Sequence, residues 1–267
     1  MNVRGTTRIS QIIGHPIAQV RSPDLFNERL EPLGIDAVLI PVDVSPEQLG
    51  DFITFQRGWH NSDGCVVTIP HKRSVVEHLD LLTARARRLQ AVNVIRRNSD
   101  GSLIGDMVDG LGFMAAARKH GFTPQGRSAL VIGTGGAGSA IVDALCDGGV
   151  ARLALRDVDP ARVTWMRDLF GAAFPAVELL ETYNDLSGFD LVVNASPVGM
   201  GGTGEFPIPE AQLKTLRSDT LVADVVTKPP LTPFLLAARE CGCHVQTGPE
   251  MAAGQIEILG RFLGVLT

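Results

Sequence analysis

Gly133-Thr134-Gly135-Gly136-Ala137-Gly138 constrains this chain more tightly than any other segment of its length. G-x-G-x-x-G is a weak pattern alone. Here it follows the apolar run Ser128–Ile132 and precedes Ser139-Ala140-Ile141, where a helical pattern begins. In that setting each glycine has a physical task. Gly133 makes the tight turn after a strand, Gly135 lets backbone approach a pyrophosphate, and Gly138 permits close packing of helix on strand. The unpaired N–H groups of the helix N-terminus, with Thr134, Gly136 and Ala137 between the glycines, then favour an anion. The competing reading is a glycine-rich strand–helix turn that binds nothing.

What surrounds the turn supports a doubly wound parallel sheet of Rossmann type. From Ser128 onward, apolar runs alternate with helical periodicity. Strands are expected at Ala129–Ile132, Arg152–Leu155, Val177–Leu180, Leu191–Asn194, Leu221–Val225 and around Val245. Helices are expected from Gly136, over Pro160–Phe170 and over Pro233–Cys241. The first hundred residues have a different rhythm. Ile9–Ile13, Ala37–Val42 and Val66–Ile69 read as strands, Ser22–Leu33 as a helix with Ser22 as N-cap, and Asn98-Ser99-Asp100-Gly101 as a hairpin turn between Ala91–Arg97 and Ser102–Gly105. A final amphipathic helix is expected over Pro249–Leu266. At about 150 residues per domain, 267 residues allow one large domain or two modest ones. The motifs favour two, with a Rossmann domain over 108–248 inserted into a smaller α/β substrate-binding domain made of 1–107 and 249–267.

Charge and composition exclude several classes. A formal net charge of −5 argues against a general nucleic-acid grip. The dense basic run Arg85–Arg88 reads as a solvated helix face. No apolar run of signal-peptide type occupies residues 1–8 and no stretch approaches the ~18 apolar residues of a membrane span, so a cytoplasmic protein is expected. Cys65, Cys146, Cys241 and Cys243 show no zinc-type spacing, so reduced structural thiols and no metal are expected. The cofactor type is written at the end of the second Rossmann strand. Asp157, 24 residues beyond Gly133 and so close to the usual spacing of about 20, suits a ribose 2′-OH and repels a 2′-phosphate, which favours NAD. Its neighbour Arg156 argues for NADP, which is the less favoured reading.

Lys72, after Thr68-Ile69-Pro70-His71, and Asp109, in Asp106-Met107-Val108-Asp109-Gly110, are by spacing alone a Lys and an Asp near turns. Their context is more informative. Gly14-His15-Pro16-Ile17 with Ser22-Pro23, Val67-Thr68-Ile69-Pro70-His71-Lys72, Ala91-Val92-Asn93, and Asp109-Gly110-x-Gly112 resemble the shikimate dehydrogenase family. So do Asn194-Ala195-Ser196-Pro197-Val198-Gly199-Met200, Asp224-Val225-Val226 with Pro230-x-Thr232-Pro233, and Gly248-x-x-Met251-x-x-x-Gln255. The resemblance keeps family order from residue 14 to 255. It implies two domains and reversible hydride transfer between a nicotinamide and a ring alcohol of shikimate, quinate or a related cyclic acid. It implies Lys72 and Asp109 as the catalytic pair, and Ser22, Thr68, Asn93 and Gln255 as substrate contacts. Arg162, Ser196, Val198, Val225, Gly248 and Met251 join the glycine turn at the cofactor. Read without the resemblance, Ser22 is a helix cap, Thr68 strand surface, Asn93 a turn residue and Gln255 an exposed helix face.

The departures from the family pattern lie at pocket positions. Val20 stands for a Ser, Val66 for an Asn, Met107-Val108 for Asn-Thr, and Thr227 for a Tyr. Each lost hydrogen bond removes about 0.5–1.5 kcal/mol, so three or four together weaken shikimate recognition on the order of a thousandfold in kcat/KM. These residues point to a divergent NAD-dependent paralogue acting on a less hydroxylated or differently substituted cyclic acid; a monomer or homodimer without nucleic-acid or membrane partners is expected. A catalytically weak NAD- or metabolite-binding sensor is the alternative, but a sensor has no need of both Lys72 and Asp109.

Overall fold

The computed structural model describes residues 3–267, so Met1 and Asn2, within the stretch 1–8 read above, lie outside the described residues. The chain divides into two compact units. One contains the residues up to Val108 together with Gln255–Thr267, and the other is Asp109–Gly254.

The first unit is built on a mixed six-stranded sheet. Its strands are β1 (Arg8–Gly14), β2 (Ala37–Asp43), β3 (Ser62–Val67), β4 (Leu81–Leu82), β5 (Val94–Arg97) and β6 (Leu103–Asp106), in the order β2-β1-β3-β5-β6-β4. β1 runs parallel to β2 and β3, whereas β3–β5 and β5–β6 are antiparallel. The expected hairpin joins β5 to β6: Asn98 N–H donates to Ser102 O at 2.8 Å, and Gly101 takes φ +86°. Helices α1 (Ser22–Leu30), α2 (Leu49–Gly58) and α3 (Ala84–Leu89) complete the unit before Val108. β2 is an edge strand, and an edge left bare invites pairing with another chain. Asn27 of α1 blunts it, giving its Nδ2–H to Leu39 O at 2.9 Å and taking Leu39 N–H on Oδ1 at 2.8 Å.

Four local expectations are corrected. Ser22 is the first helical residue; the cap position falls on Arg21, whose side chain makes no capping bond. The helix stops at Leu30, and Glu31–Leu33 tightens into a 3₁₀ turn because Pro32 cannot donate to a helical ladder. The third strand is Ser62–Val67, not Val66–Ile69. Thr68 N–H still reaches Ile13 O, but Thr68 O takes His71 N–H at 2.9 Å in a turn, and Ile69 is 70% exposed. Arg85 is more than a solvated charge. Its Nε and Nη2 grip the Asp106 carboxylate at 2.8 and 3.0 Å, Thr83 Oγ1 donates to the same group at 2.5 Å, and Asp106 is buried. A carboxylate removed from water requires such compensation.

The second unit opens with α4 (Asp109–Lys119) and continues with β7 (Ser128–Ile132), α5 (Gly136–Asp147), β8 (Arg152–Arg156), α6 (Pro160–Ala173), β9 (Glu178–Leu180), β10 (Leu191–Asn194), α7 (Glu210–Leu213), β11 (Leu221–Asp224), α8 (Pro233–Glu240), β12 (His244–Gln246) and the start of α9 (Gly248–Leu263), whose residues from Gln255 onward belong to the first unit. All six strands are parallel, in the order β12-β11-β10-β7-β8-β9. β7, β10 and β11 are buried along their whole length, as strands covered on both faces must be. Leu130, Val192, Val222, Phe234 and Leu235 are among the side chains that form the core. The winding reverses between β7 and β10, and ligands of such sheets bind at the carboxyl ends of the strands flanking that reversal. The last helix begins one residue before the expected Pro249 and ends at Leu263 rather than Leu266. Thr247 and Glu250 form a reciprocal capping box, and Gly264 takes φ +81° just past the end.

Candidate active site

At the sheet reversal the glycine turn is shaped by backbone contacts. Gly133 takes φ +94°, and a Cβ there would lie 2.7 Å from Ser196 N. A Cβ on Gly138 would lie 1.9 Å from Gly133 O, so α5 crosses β7 at a distance only glycine allows. At Gly135 and Gly136 the space is open, with no atom within 4 Å of where a Cβ would stand. Gly135 is the N-cap of α5 and has no capping side chain, so the first N–H groups of the helix border that space. These features fit a pyrophosphate, and the residues present therefore fit a dinucleotide.

Asp157 does more than the sequence alone indicates. Its Oδ2 accepts both Thr134 N–H at 2.6 Å and Thr134 Oγ1–H at 2.7 Å, while Oδ1 accepts Asp159 N–H at 3.0 Å. Burial works against its ionisation, but these hydrogen bonds and the nearby charge of Arg162 outweigh it and hold the carboxyl below the usual range. Asp157 thus ties the end of β8 to the glycine turn. Arg162, from α6, pairs with Asp159 at 3.5 Å. Arg156 donates to the Tyr183 hydroxyl at 3.4 Å.

The turn after β10 is held from below. Ser196 N–H and Oγ–H both donate to Asn194 Oδ1, Val198 N–H donates to Ser196 Oγ at 3.3 Å, and Asn194 Nδ2 donates to Val198 O and to Asp224. Asp224 also accepts Val226 N–H and Thr232 Oγ1–H; burial raises its pKa against these bonds. This buried Asn194–Asp224–Thr232 network escaped the sequence reading, although all three residues lie in segments that carried the family resemblance. Gly248 has its own close contact, a Cβ there meeting Val226 O at 2.3 Å and Val225 O at 2.6 Å. Met251 is buried one turn along α9.

In the first unit, three turns at the carboxyl ends of β1, β2 and β3 interlock around Lys72. His15 N–H donates to Ile69 O at 3.0 Å, Val44 N–H to Gly14 O at 3.1 Å, and Val92 N–H to Lys72 O at 2.7 Å. Gly14 is confined by Thr68, whose Cγ2 would lie 2.5 Å from an added Cβ. Asn93 is buried: its O accepts Val67 N–H, and its Oδ1 accepts Val108 N–H at 2.7 Å. Thr68, Lys72 and Asn93 therefore share one hydrogen-bonded set of turns. Val66, Met107 and Val108 are buried beside them in sequence. Ser22 opens α1 and Gln255 lies half-buried on α9 in the same unit. Asp109 is the buried first residue of α4, in the second unit.

Among the described residues no group of His, Cys, Asp or Glu is arranged to hold a metal ion, and no helix is long and apolar enough to cross a membrane. The four thiols are free, and burial pushes that of Cys65 up to about 12.

A parallel sheet wound 3-2-1-4-5-6 from its first strand, with a glycine cradle at its reversal, in a chain whose first unit presents a lysine, is the architecture of a nicotinamide-dependent oxidoreductase. Comparison with known proteins is specific. Residues 12–95 match the shikimate dehydrogenase substrate binding domain. The chain is 36% identical over 271 residues to a shikimate dehydrogenase (NADP(+)) from Rubrobacter xylanophilus, covering 98% of this chain and 93% of that protein. Its structure is similar to the ligand-free 5-ketofructose reductase of Gluconobacter sp. strain CHM43, with a TM-score of 0.89, 28% identity, and coverage of 96% of this chain and 92% of that one. It is also similar to shikimate 5-dehydrogenase from Listeria monocytogenes in complex with shikimate and NAD, with a TM-score of 0.86, 28% identity, and coverage of 96% and 93%. The chain belongs to the shikimate dehydrogenase family.

Proposed function

We propose that this chain is an NAD-preferring member of the family that oxidises one ring alcohol of a cyclic hydroxy acid less hydroxylated than shikimate, and reduces the ketone in the reverse direction. Nicotinamide supplies the hydride acceptor. Lys72 takes the hydroxyl proton, and Asp109 orients it and the hydroxyl. Ser22, Thr68, Asn93 and Gln255 contact the ring acid. Gly133–Gly138, Asp157, Arg162, Ser196, Val198, Val225, Gly248 and Met251 hold the dinucleotide. The division of labour is then a first unit that binds the ring acid and supplies Lys72, and a second unit that binds the dinucleotide and supplies Asp109.

One observation carries the reading: Lys72 stands on a turn tied to the carboxyl ends of β1 and β3 and to the connection entering β5, while Val66, Met107 and Val108, which depart from the polar residues the family resemblance implies, are buried. The chemistry is retained and the polar grip on the ring is reduced. Likeness to a 5-ketofructose reductase supports a substrate other than shikimate within this architecture. The preference for NAD is supported by two carboxylates, Asp157 and Asp159, at the end of β8 and by Arg156 being engaged with Tyr183. The match to an NADP-dependent relative weighs the other way. Like charges brought together cost several kcal/mol, so kcat/KM for NAD should exceed that for NADP by about tenfold or more with shikimate as the alcohol. Paired progress curves at the reduced-nicotinamide absorbance decide it, and a preference for NADP of that size contradicts the assignment of Asp157.

A further inference from the structure

We infer that His71 is a positioning residue for Lys72, holding the lysine's turn against the connection that follows β2; the inference rests on Lys72 being the base. His71 has no solvent exposure. Its Nε2 lies 2.7 Å from Val44 O, and a carbonyl can only accept, so Nε2 carries the proton and donates. Nδ1 is buried with no hydrogen-bond partner. A buried polar atom without a partner costs about 1–3 kcal/mol, so this ring is a poor choice for packing alone. An aliphatic side chain would remove that cost but would also take this donor from Val44 O.

What the ring provides is a tie. The backbone of the turn is joined to β1, to the residue after it and to the connection before β5 by Thr68 N–H to Ile13 O, His15 N–H to Ile69 O, and Val92 N–H to Lys72 O. None of these bonds reaches the loop after β2. His71 does, and it is the residue immediately before Lys72. Val44 is itself anchored to Gly14 O by its N–H, and the neighbouring Asp43 pairs with His15 at 2.8 Å. The Lys72 peptide is thus fixed from both sides: its carbonyl by Val92, and its predecessor's side chain by Val44. A displacement of about 1 Å at a reacting group can cost 10²-fold in rate.

The test uses the full chain with shikimate at tens of millimolar and saturating NAD. His71→Met removes the donor. It is expected to lower kcat by about 10- to 100-fold with KM changed less than about threefold, and to leave NAD affinity unchanged. His71→Gln places an N–H at the same reach and should recover most of kcat; His71→Asn, which is too short, should not. The pH profile of kcat should be displaced in the Met variant and return in the Gln variant. A purely structural residue would instead lose thermal stability in the Met and Gln variants alike while kcat per folded molecule held. Wild-type kcat in His71→Met, rescue by Asn equal to rescue by Gln, or a rise in KM alone overturns the inference. If His71→Met does not fold, the Gln-to-Asn comparison decides by itself. Full turnover in Lys72→Ala would overturn the assignment of Lys72, whereas an inactive Lys72→Ala beside a fully active His71→Met would overturn only the role of His71.

Discussion

Replacing Lys72 by alanine is expected to lower kcat by about 10³-fold, within the range that a positioned acid–base group contributes. NAD affinity should change little, because the glycine cradle, Asp157 and the Asn194–Asp224–Thr232 network belong to the other unit. Thermal stability should also hold: Lys72 is half-buried, and the ties of its turn run through the peptide carbonyl and through His71, which alanine leaves in place. Steady-state rates together with fluorescence titration of NAD separate the two effects. Turnover close to wild type would remove Lys72 from the chemistry.

The second large effect is expected at Gly138. An alanine there would set its Cβ 1.9 Å from Gly133 O, far inside contact distance, and the obstacle is backbone. Relief requires α5 to shift away from β7 or the Gly133 turn to open. Either movement displaces the N–H groups that border the open space at Gly135 and Gly136. Overpacking of this kind costs about 1–3 kcal/mol of stability. If the same distortion is charged to the dinucleotide, NAD affinity should fall by about 10- to 100-fold. Gly136→Ala is the control, since a Cβ there meets nothing within 4 Å and the protein without cofactor should be as stable as wild type. Thermal melting and NAD titration of both variants check the pair; equal stability in Gly138→Ala and Gly136→Ala would contradict the packing account.

The cofactor half was the more legible part of the sequence. Its determinants are local: a strand, a turn that needs φ +94° at Gly133, and a helix whose third glycine must touch the first. The alternation of apolar runs likewise led directly to six parallel strands. Lys72 was different. Its turn gains meaning from hydrogen bonds to Ile13, His15, Val44 and Val92, and no spacing rule identifies turns that meet in three dimensions, so only the family resemblance pointed to it. Arg85 was misread for the same reason, because its partner Asp106 lies on β6. Ser22-Pro23 has the pattern of a capped helix start, yet the proline is the second helical residue and the cap falls on Arg21. The capping box of α9 was present as Thr247-x-x-Glu250, and that signal could have placed the helix start correctly. Asp157 was singled out for its charge; its bonds to Thr134 depend on how β7 and β8 align at their carboxyl ends, where Ile132 pairs with Arg156.

The aliphatic residues Val20, Val66, Met107 and Val108 carry the central claim, which is a dehydrogenase with its acid–base chemistry intact and its ring selectivity moved. The most direct measurement is kcat/KM at saturating NAD for shikimate, quinate and ring acids bearing a single hydroxyl, assayed side by side. The account predicts that a less hydroxylated acid is oxidised with kcat/KM on the order of a thousandfold above that for shikimate. Shikimate turned over efficiently at micromolar concentration, ahead of every less hydroxylated acid, would contradict it.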